Sequence, residues 1–265
     1  MWLRILHHSR LVALLLLTGL VVALPAAHPA YAAAIVVNTF LDANPPVTDG
    51  GCTLREAIIN ANANAATFPD CPAGTSTGDT ITFSGDMIIT LAAPLSAITN
   101  GTGLTVDGAG KSVVVRGPNG GGPVWTVISG AVFTMSGLVI DRIFPASTLP
   151  RGIENQGGVV NVVRSTLQRI ERPLVNRPGS ILTVTDSTIM DNWGSGLLNQ
   201  GAATVTRSLF FDNRATLTCC APGVGGAIHN TRDATLLVSN STLSRNGQGH
   251  SVGKVGGFTT MATPT

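Results

Sequence analysis

The sequence has few charged and few aromatic residues. Only 11% of its 265 residues are charged and 5% are aromatic, whereas glycine is frequent, with 31 residues. This composition disfavours a helical bundle and favours many short strands joined by tight turns. Long apolar runs are also missing after residue 24, and a membrane-spanning helix needs about 20 such residues.

The first 34 residues have the pattern of a secretory signal. Arg4 and Arg10 precede an apolar stretch at residues 11–24, and small residues follow at 32–34. We predict export, with cleavage after Ala32 or Ala34. An uncleaved anchor is the alternative, although the apolar stretch is short for a membrane span, which needs about 20 residues.

Removal of this segment leaves a chain without net charge. Arg4 and Arg10 are lost with it, so the 16 basic side chains fall to 14 and equal the 14 acidic ones. The remaining sequence has no basic stripe, which argues against nucleic-acid binding. His229 and His250, the only histidines after the signal segment, are expected in exposed turns.

Export permits disulfides, and four cysteines are present, namely Cys52, Cys71, Cys219 and Cys220. Three pairings are possible. The pair Cys52–Cys71 is the simplest because it closes a local loop, whereas a bond between the adjacent Cys219 and Cys220 would be strained. No histidine or further cysteine stands at metal-site spacing, so we expect a loop disulfide or free thiols.

One short phrase recurs four times, centred on Ser165, Ser187, Ser208 and Ser241. The serines are separated by 22, 21 and 33 residues. A period near 22 is too short for a globular domain and fits one coil of a solenoid. Apolar residues alternate on both sides of each serine, as in strands with one buried face. The extra lengths are predicted as loops that hold residues 145–151 and 219–222.

Two columns of asparagine accompany the repeat. The first precedes each serine by about ten residues and comprises Asn155, Asn176, Asn199 and Asn230. The second follows the serine by five residues and comprises Asn192, Asn213 and Asn246, with Ile170 in the first repeat. Equivalent residues of successive coils stack ~4.8 Å apart, so these amides can hydrogen-bond along each column. Because asparagine tolerates left-handed backbone, we predict that both columns occupy corners.

The fold class predicted from these patterns is an all-β, right-handed parallel β-helix; the hand follows the usual crossover rule. Solenoid ends need covering, and Thr53 and Glu56 form a capping-box pattern that begins a short helix. Leu54, Ile58 and Ala61 share one face of that helix, so we expect it to cover the first coil. The predicted organisation is a signal at 1–34, an N-terminal cap with the first strands at 35–100, coils at 101–258, and a ragged tail at 259–265.

The segment Cys52-Thr53-Leu54-Arg55-Glu56-Ala57-Ile58 closely resembles the CSLREA motif that opens a family of secreted bacterial β-helix proteins, with Thr in place of the usual Ser. This resemblance implies location and architecture, and it brings no agreed catalytic residues. More loosely, residues 225–228 and 210–213 resemble the GGAI and FxxN repeats of adhesin-like polymorphic outer membrane proteins. Residues 106–110 are similar to an early-coil phrase of pectate-lyase-like folds, where that phrase is structural.

A catalytic interpretation depends on five residues, namely Arg169, Arg172, Arg177, Asp191 and Asp212. A polyuronate lyase uses a basic residue with acidic Ca²⁺ ligands nearby, and a glycosidase needs two carboxylates about 5–9.5 Å apart. Opposite charges on neighbouring coils are also ordinary cross-strand pairs worth ~0.2–1 kcal/mol each. We prefer this second interpretation.

The sequence therefore predicts a secreted or cell-surface monomer that binds an extracellular glycan or another surface macromolecule and uses no cofactor. The alternative is a lyase or hydrolase that acts on acidic polysaccharide, and Ca²⁺ would be expected only in that case.

Overall fold

The structure, a computed structural model, describes residues 33–118, 121–142, 150–215, 226–248 and 258–260. The predicted signal up to residue 32, Cys219, Cys220 and His250 lie outside these residues. In chain order the elements are β1 (Ala33–Val37), α1 (Leu54–Ala63), β2 (Asp79–Phe83), β3 (Met87–Thr90), β4 (Leu104–Asp107), β5 (Val113–Arg116), β6 (Gly122–Ile128), β7 (Val132–Ser136), β8 (Val139–Asp141), β9 (Pro150–Gln156), β10 (Val159–Val163), β11 (Thr166–Gln168), β12 (Glu171–Asn176), β13 (Ile181–Thr185), β14 (Thr188–Met190), β15 (Leu197–Asn199), β16 (Ala202–Thr206), β17 (Leu209–Phe211), β18 (Arg214–Ala215), β19 (Ile228–Asn230), β20 (Thr235–Ser239), β21 (Thr242–Ser244), β22 (Gly247–Gln248) and β23 (Phe258–Thr260).

The strands form three parallel sheets. Sheet A has the order β1-β2-β4-β7-β10-β13-β16-β20, sheet B the order β21-β17-β14-β11-β8-β5-β3, and sheet C the order β23-β19-β15-β12-β9-β6. A short pair, β18–β22, follows the same direction. Neighbours within a sheet come from successive coils, so the chain winds as a parallel β-helix with one short helix. This confirms the predicted all-β fold.

The core is built from alternate residues of each strand. Val160 and Val162 of β10 are buried and lie in register with Leu182 and Val184 of β13. Burying one such side chain stabilises the fold by about 1.5–3 kcal/mol. At the turn from sheet C to sheet A, a Cβ on Gly201 would lie 2.5 Å from the Ser180 carbonyl oxygen. Only glycine therefore allows the coils to stack at this turn.

The two asparagine columns form hydrogen-bonded ladders. The first ladder runs through Nδ2–Oδ1 bonds of 3.1, 2.8 and 2.6 Å, in the order Asn155, Asn176, Asn199 and Asn230. The second has two bonds of 2.9 Å, in the order Asn192, Asn213 and Asn246. All seven side chains are buried. Their amides also donate to backbone carbonyls, for example from Asn192 to Leu167, so the ladders satisfy buried polar groups of the turns.

The serines of the repeat form a third ladder. The backbone N–H of Ser165 donates to Ser187 Oγ at 3.2 Å, and that of Ser187 donates to Ser208 Oγ at 3.2 Å. The ladder continues from Ser208 to Ser241 at 3.1 Å. Each Oγ in turn donates to the carbonyl two residues earlier. In the sequence these serines only mark the repeat. In the structure they also hold one turn of each coil in place.

The left-handed corners belong to other columns than predicted. One comprises Arg164, Asp186, Arg207 and Asn240, and the other comprises Arg169, Asp191, Asp212 and Arg245, with φ between 46° and 56°. The buried asparagine columns do not adopt this conformation. The charged corner side chains lie toward the surface, where they stay hydrated, while the asparagines lie inside, where they satisfy backbone groups.

Helix α1 covers the N-terminal coil and packs against β1 and β2. Its N-cap is Thr53, whose Oγ1 accepts from the Glu56 N–H, while Glu56 Oε2 accepts from the Thr53 N–H. Leu54, Ile58 and Ala61 are buried against the coil. The Cys52–Cys71 disulfide is present and holds the residue before the helix. Of the two predicted cleavage positions, only the one after Ala32 leaves β1 whole.

Arg55, which belongs to the CSLREA-like segment at residues 52–58, is buried in an ion pair. Its Nε and Nη2 donate to the two oxygens of Asp42 at 2.8 and 2.7 Å, and the two side chains are 4% and 1% exposed. Its Nη1 donates to the carbonyl of Pro94 and its Nη2 to that of Ala93. The motif therefore ties the helix to the loops on either side. No helix of the described residues is long and apolar enough to cross a membrane.

Candidate functional site

Arg169 is engaged by a carboxylate of the preceding coil. Its Nε donates to Asp141 Oδ1 at 2.9 Å, and its Nη2 donates to Asp141 Oδ2. The side chain of Asp141 is 7% exposed. Burial acts to raise the pKa of Asp141, but the hydrogen bonds from Arg169 and from the Arg142 N–H outweigh it and hold that pKa below its usual value. The same contact raises the pKa of Arg169.

Arg177 is paired with Glu154, which it shares with Arg151. Arg177 donates from Nε and Nη2 to Glu154 Oε1 at 3.1 and 2.6 Å, and Arg151 donates from Nη1 to Oε2 at 2.9 Å. Burial acts to raise the pKa of Glu154, but the Arg177 hydrogen bond and the charge of Arg151 outweigh it and lower that pKa. Residue 151 was predicted in a loop, but β9 begins at Pro150, so Arg151 is a strand residue.

The three arginines do not form one cluster. Arg172 lies at the start of β12, with its Nε 3.8 Å from Glu171 Oε1, and both side chains are exposed. Arg177 follows the end of the same strand. At ~3.3 Å per residue, the five steps from Arg172 to Arg177 span about 16 Å of strand. A single catalytic centre that combines Arg172 and Arg177 is therefore not assembled.

Asp191 and Asp212 occupy equivalent corners of adjacent coils. Asp212 accepts from Arg214 Nη2 at 3.2 Å, and the charge of Asp191 helps to raise the pKa values of Arg169 and Arg214. Asp212 is thus held by Arg214 of its own coil, and Asp191 lies near enough to Arg169 and Arg214 to act on both through its charge.

Two aromatic side chains share this corner. Trp193 is half-buried and lies in register with Glu171 and Arg214 on the neighbouring coils. The guanidinium of Arg142 lies 4.9 Å from the centroid of the Trp193 ring, and that of Arg245 lies 5.3 Å from the Phe211 ring. We call this surface the arginine–aromatic corner, and it comprises Arg142, Arg169, Glu171, Asp191, Trp193, Phe211, Asp212, Arg214 and Arg245.

Trp193 was not among the site residues predicted from the sequence. The reason is that the other repeats carry no aromatic residue at its position, where Glu171 and Arg214 stand instead. His229 also differs from expectation, because it lies in β19 and its burial lowers its pKa. Within the described ranges, no three His, Cys, Asp or Glu side chains are grouped so that they could hold a metal ion.

Comparison with protein-family models, curated proteins and solved structures finds no match to this chain. The resemblance of residues 52–58 to the CSLREA motif therefore depends on those residues alone.

The lowered pKa values predict acid sensitivity. The ordinary values are 3.8 for Asp141 and 4.5 for Glu154, and both groups ionise more readily in the folded state. Their stabilising contribution is complete above those values and is lost as the pH falls through the lower folded-state pKa, at ~1.4 kcal/mol for each unit of difference. Urea unfolding at pH 7, 4.5 and 3 measures this loss. A variant with Asp141→Asn and Glu154→Gln should lose less stability over the same range, and equal losses would contradict the assignment.

Proposed function

We propose that the chain is an exported β-helix protein that binds extracellular polysaccharide along its lateral surface without cleaving it. The observation that supports this proposal most strongly is the pairing of Arg169 and Arg177 with nearly buried carboxylates. An arginine base must first lose a proton, and Asp141 raises the pKa of Arg169. Export and surface location are supported by the signal-like segment and the CSLREA resemblance.

The arginine–aromatic corner is the surface best suited to binding. Trp and Arg side chains contribute much of the energy in macromolecular recognition, because they combine large contact area with directed hydrogen bonds. Corner residues recur on successive coils ~4.8 Å apart. The column of Arg169, Asp191, Asp212 and Arg245 places one charged side chain on each coil, so an extended polymer can meet a polar group at every step, which favours a polysaccharide over a small ligand.

Replacing Trp193 with alanine should weaken polysaccharide binding about tenfold, which corresponds to ~1.4 kcal/mol. The expected loss comes from the contact area of the indole ring. Binding can be followed by affinity electrophoresis on a panel of plant and microbial polysaccharides. Tryptophan fluorescence gives a second signal, because Trp125 is fully buried and Trp193 is accessible.

The matched control is Phe40→Ala, which removes an aromatic side chain that is 62% exposed and precedes α1. This variant should bind as the original protein does. If Trp193→Ala and Phe40→Ala both retain full binding, the corner is not the binding surface.

A further inference from the structure

One carboxylate of the described residues has more arginine partners than the others. Most carboxylates in ion pairs have a single arginine partner, as in Arg55–Asp42, Arg169–Asp141, Arg207–Asp186 and Arg214–Asp212. Glu154 is the one carboxylate of the described residues with two arginines within ion-pair distance, Arg151 and Arg177. This group therefore carries one excess positive charge on the outer face of sheet C.

The two arginines are held in place but keep donors for a ligand. Glu154 is 7% exposed and orients both guanidinium groups, which are 33% and 40% exposed. Arg151 uses only Nη1 toward Glu154, and Arg177 Nη1 has only a long contact of 3.4 Å to Gln200 Oε1. A guanidinium fork matches a carboxylate in geometry as well as charge, and orientation in advance lowers the entropic cost of binding.

A groove of about 600 Å³ begins at Pro178, the residue after Arg177. Pro178 follows Arg177 directly and lines the groove, as does Gln200, its hydrogen-bond partner. Gly179 has a φ of +78° that favours glycine, and no side chain at this position fills the space. Thr231 and Asp233 supply a hydroxyl and a carboxylate to the wall. We call this the Gln200 groove; its size is typical of small-ligand sites.

We infer that Arg151 and Arg177 form a subsite for the carboxylate of an acidic sugar, with the sugar ring in the Gln200 groove. The inference rests on the proposed polysaccharide binding and names the class of glycan as one that contains uronic acids. Thr231, Asp233 and Gln200 would hydrogen-bond the sugar hydroxyls. Sheet C lies between this groove and the arginine–aromatic corner, so one polymer chain can contact both.

The test is calorimetric titration of the purified protein with trigalacturonate and with its fully methyl-esterified form, which has the same rings without charge. The original protein should prefer the acid about tenfold or more. Arg177→Gln should lose that preference. Arg207→Gln, which changes an exposed ion pair elsewhere, serves as the matched control and should behave as the original protein does.

The outcomes separate this inference from the proposed function. Equal binding of both trisaccharides by the original protein, or an unchanged preference in Arg177→Gln, overturns the carboxylate subsite and leaves polysaccharide binding intact. Polysaccharide binding itself fails if the protein retains none of the polysaccharides in the panel. Thermal melting of each variant confirms that it is folded.

Discussion

Replacing Asn176 with alanine is expected to lower the free energy of unfolding by about 2–4 kcal/mol, because each buried polar group left without a partner costs ~1–3 kcal/mol. Asn176 is fully buried, accepts from Asn155 Nδ2, and donates to Asn199 Oδ1 and to the Ala202 carbonyl. Alanine would remove all three hydrogen bonds, including the side-chain donor to the Ala202 carbonyl, at a turn that stacks on both neighbouring coils. Urea unfolding followed by circular dichroism measures the change.

Asn161→Ala is the matched control for this prediction. Asn161 lies in β10 on the outer face of sheet A, and its amide makes a contact of 3.3 Å with Thr134 Oγ1. A surface substitution of this kind should change stability by no more than ~0.5 kcal/mol. Equal stability of the two variants would show that the ladder does not hold the coils together.

Replacing Arg55 with methionine is expected to lower the free energy of unfolding by about 3–5 kcal/mol, since it leaves the charge of Asp42 buried without an opposite charge. Asp42 is 1% exposed, and its Oδ2 also accepts from the Ala92 N–H at 2.7 Å. The carbonyls of Ala93 and Pro94 lose their donors in the same variant. Thermal and urea unfolding both report the loss.

Two further variants test the cause. The double variant Arg55→Met with Asp42→Leu should recover part of the stability, because replacing both partners of a buried pair with apolar groups is often neutral. Arg207→Met breaks an ion pair whose side chains are 55% and 41% exposed, and such a change should leave the stability almost unchanged because solvent screens the pair. If Arg55→Met lowers the stability no more than Arg207→Met does, the Arg55–Asp42 pair does not hold helix α1 on the first coil.

Local signals explain what the sequence could predict. The alternation of apolar residues around each repeat serine predicted the strands of the later coils. The spacing of the asparagines predicted amides that stack from coil to coil. Thr53 and Glu56 marked the start of α1 because both capping-box partners lie within four residues of each other. In each case the determining contacts are either close in sequence or repeated at a fixed interval.

The features that the sequence did not predict depend on contacts without such regularity. Arg151 and Glu154 lie in β9, which precedes the first full repeat, so no repeated phrase marked them as neighbours of Arg177. The partner of Arg169 is Asp141, which is 28 residues earlier, and not Asp191 of the next coil. The left-handed corners were missed because arginine, which occupies four of them, rarely adopts this conformation.

The most direct test of binding without cleavage is to measure polymer retention and newly formed chain ends in the same incubation. Purified protein, with Ca²⁺ present, would be mixed with each polysaccharide of the panel, and both bound polymer and new reducing ends would be quantified. We predict retention of at least one polysaccharide with no release of chain ends. If the original protein releases chain ends and the Arg172→Ala variant does not, the proposal is contradicted and the protein is an enzyme.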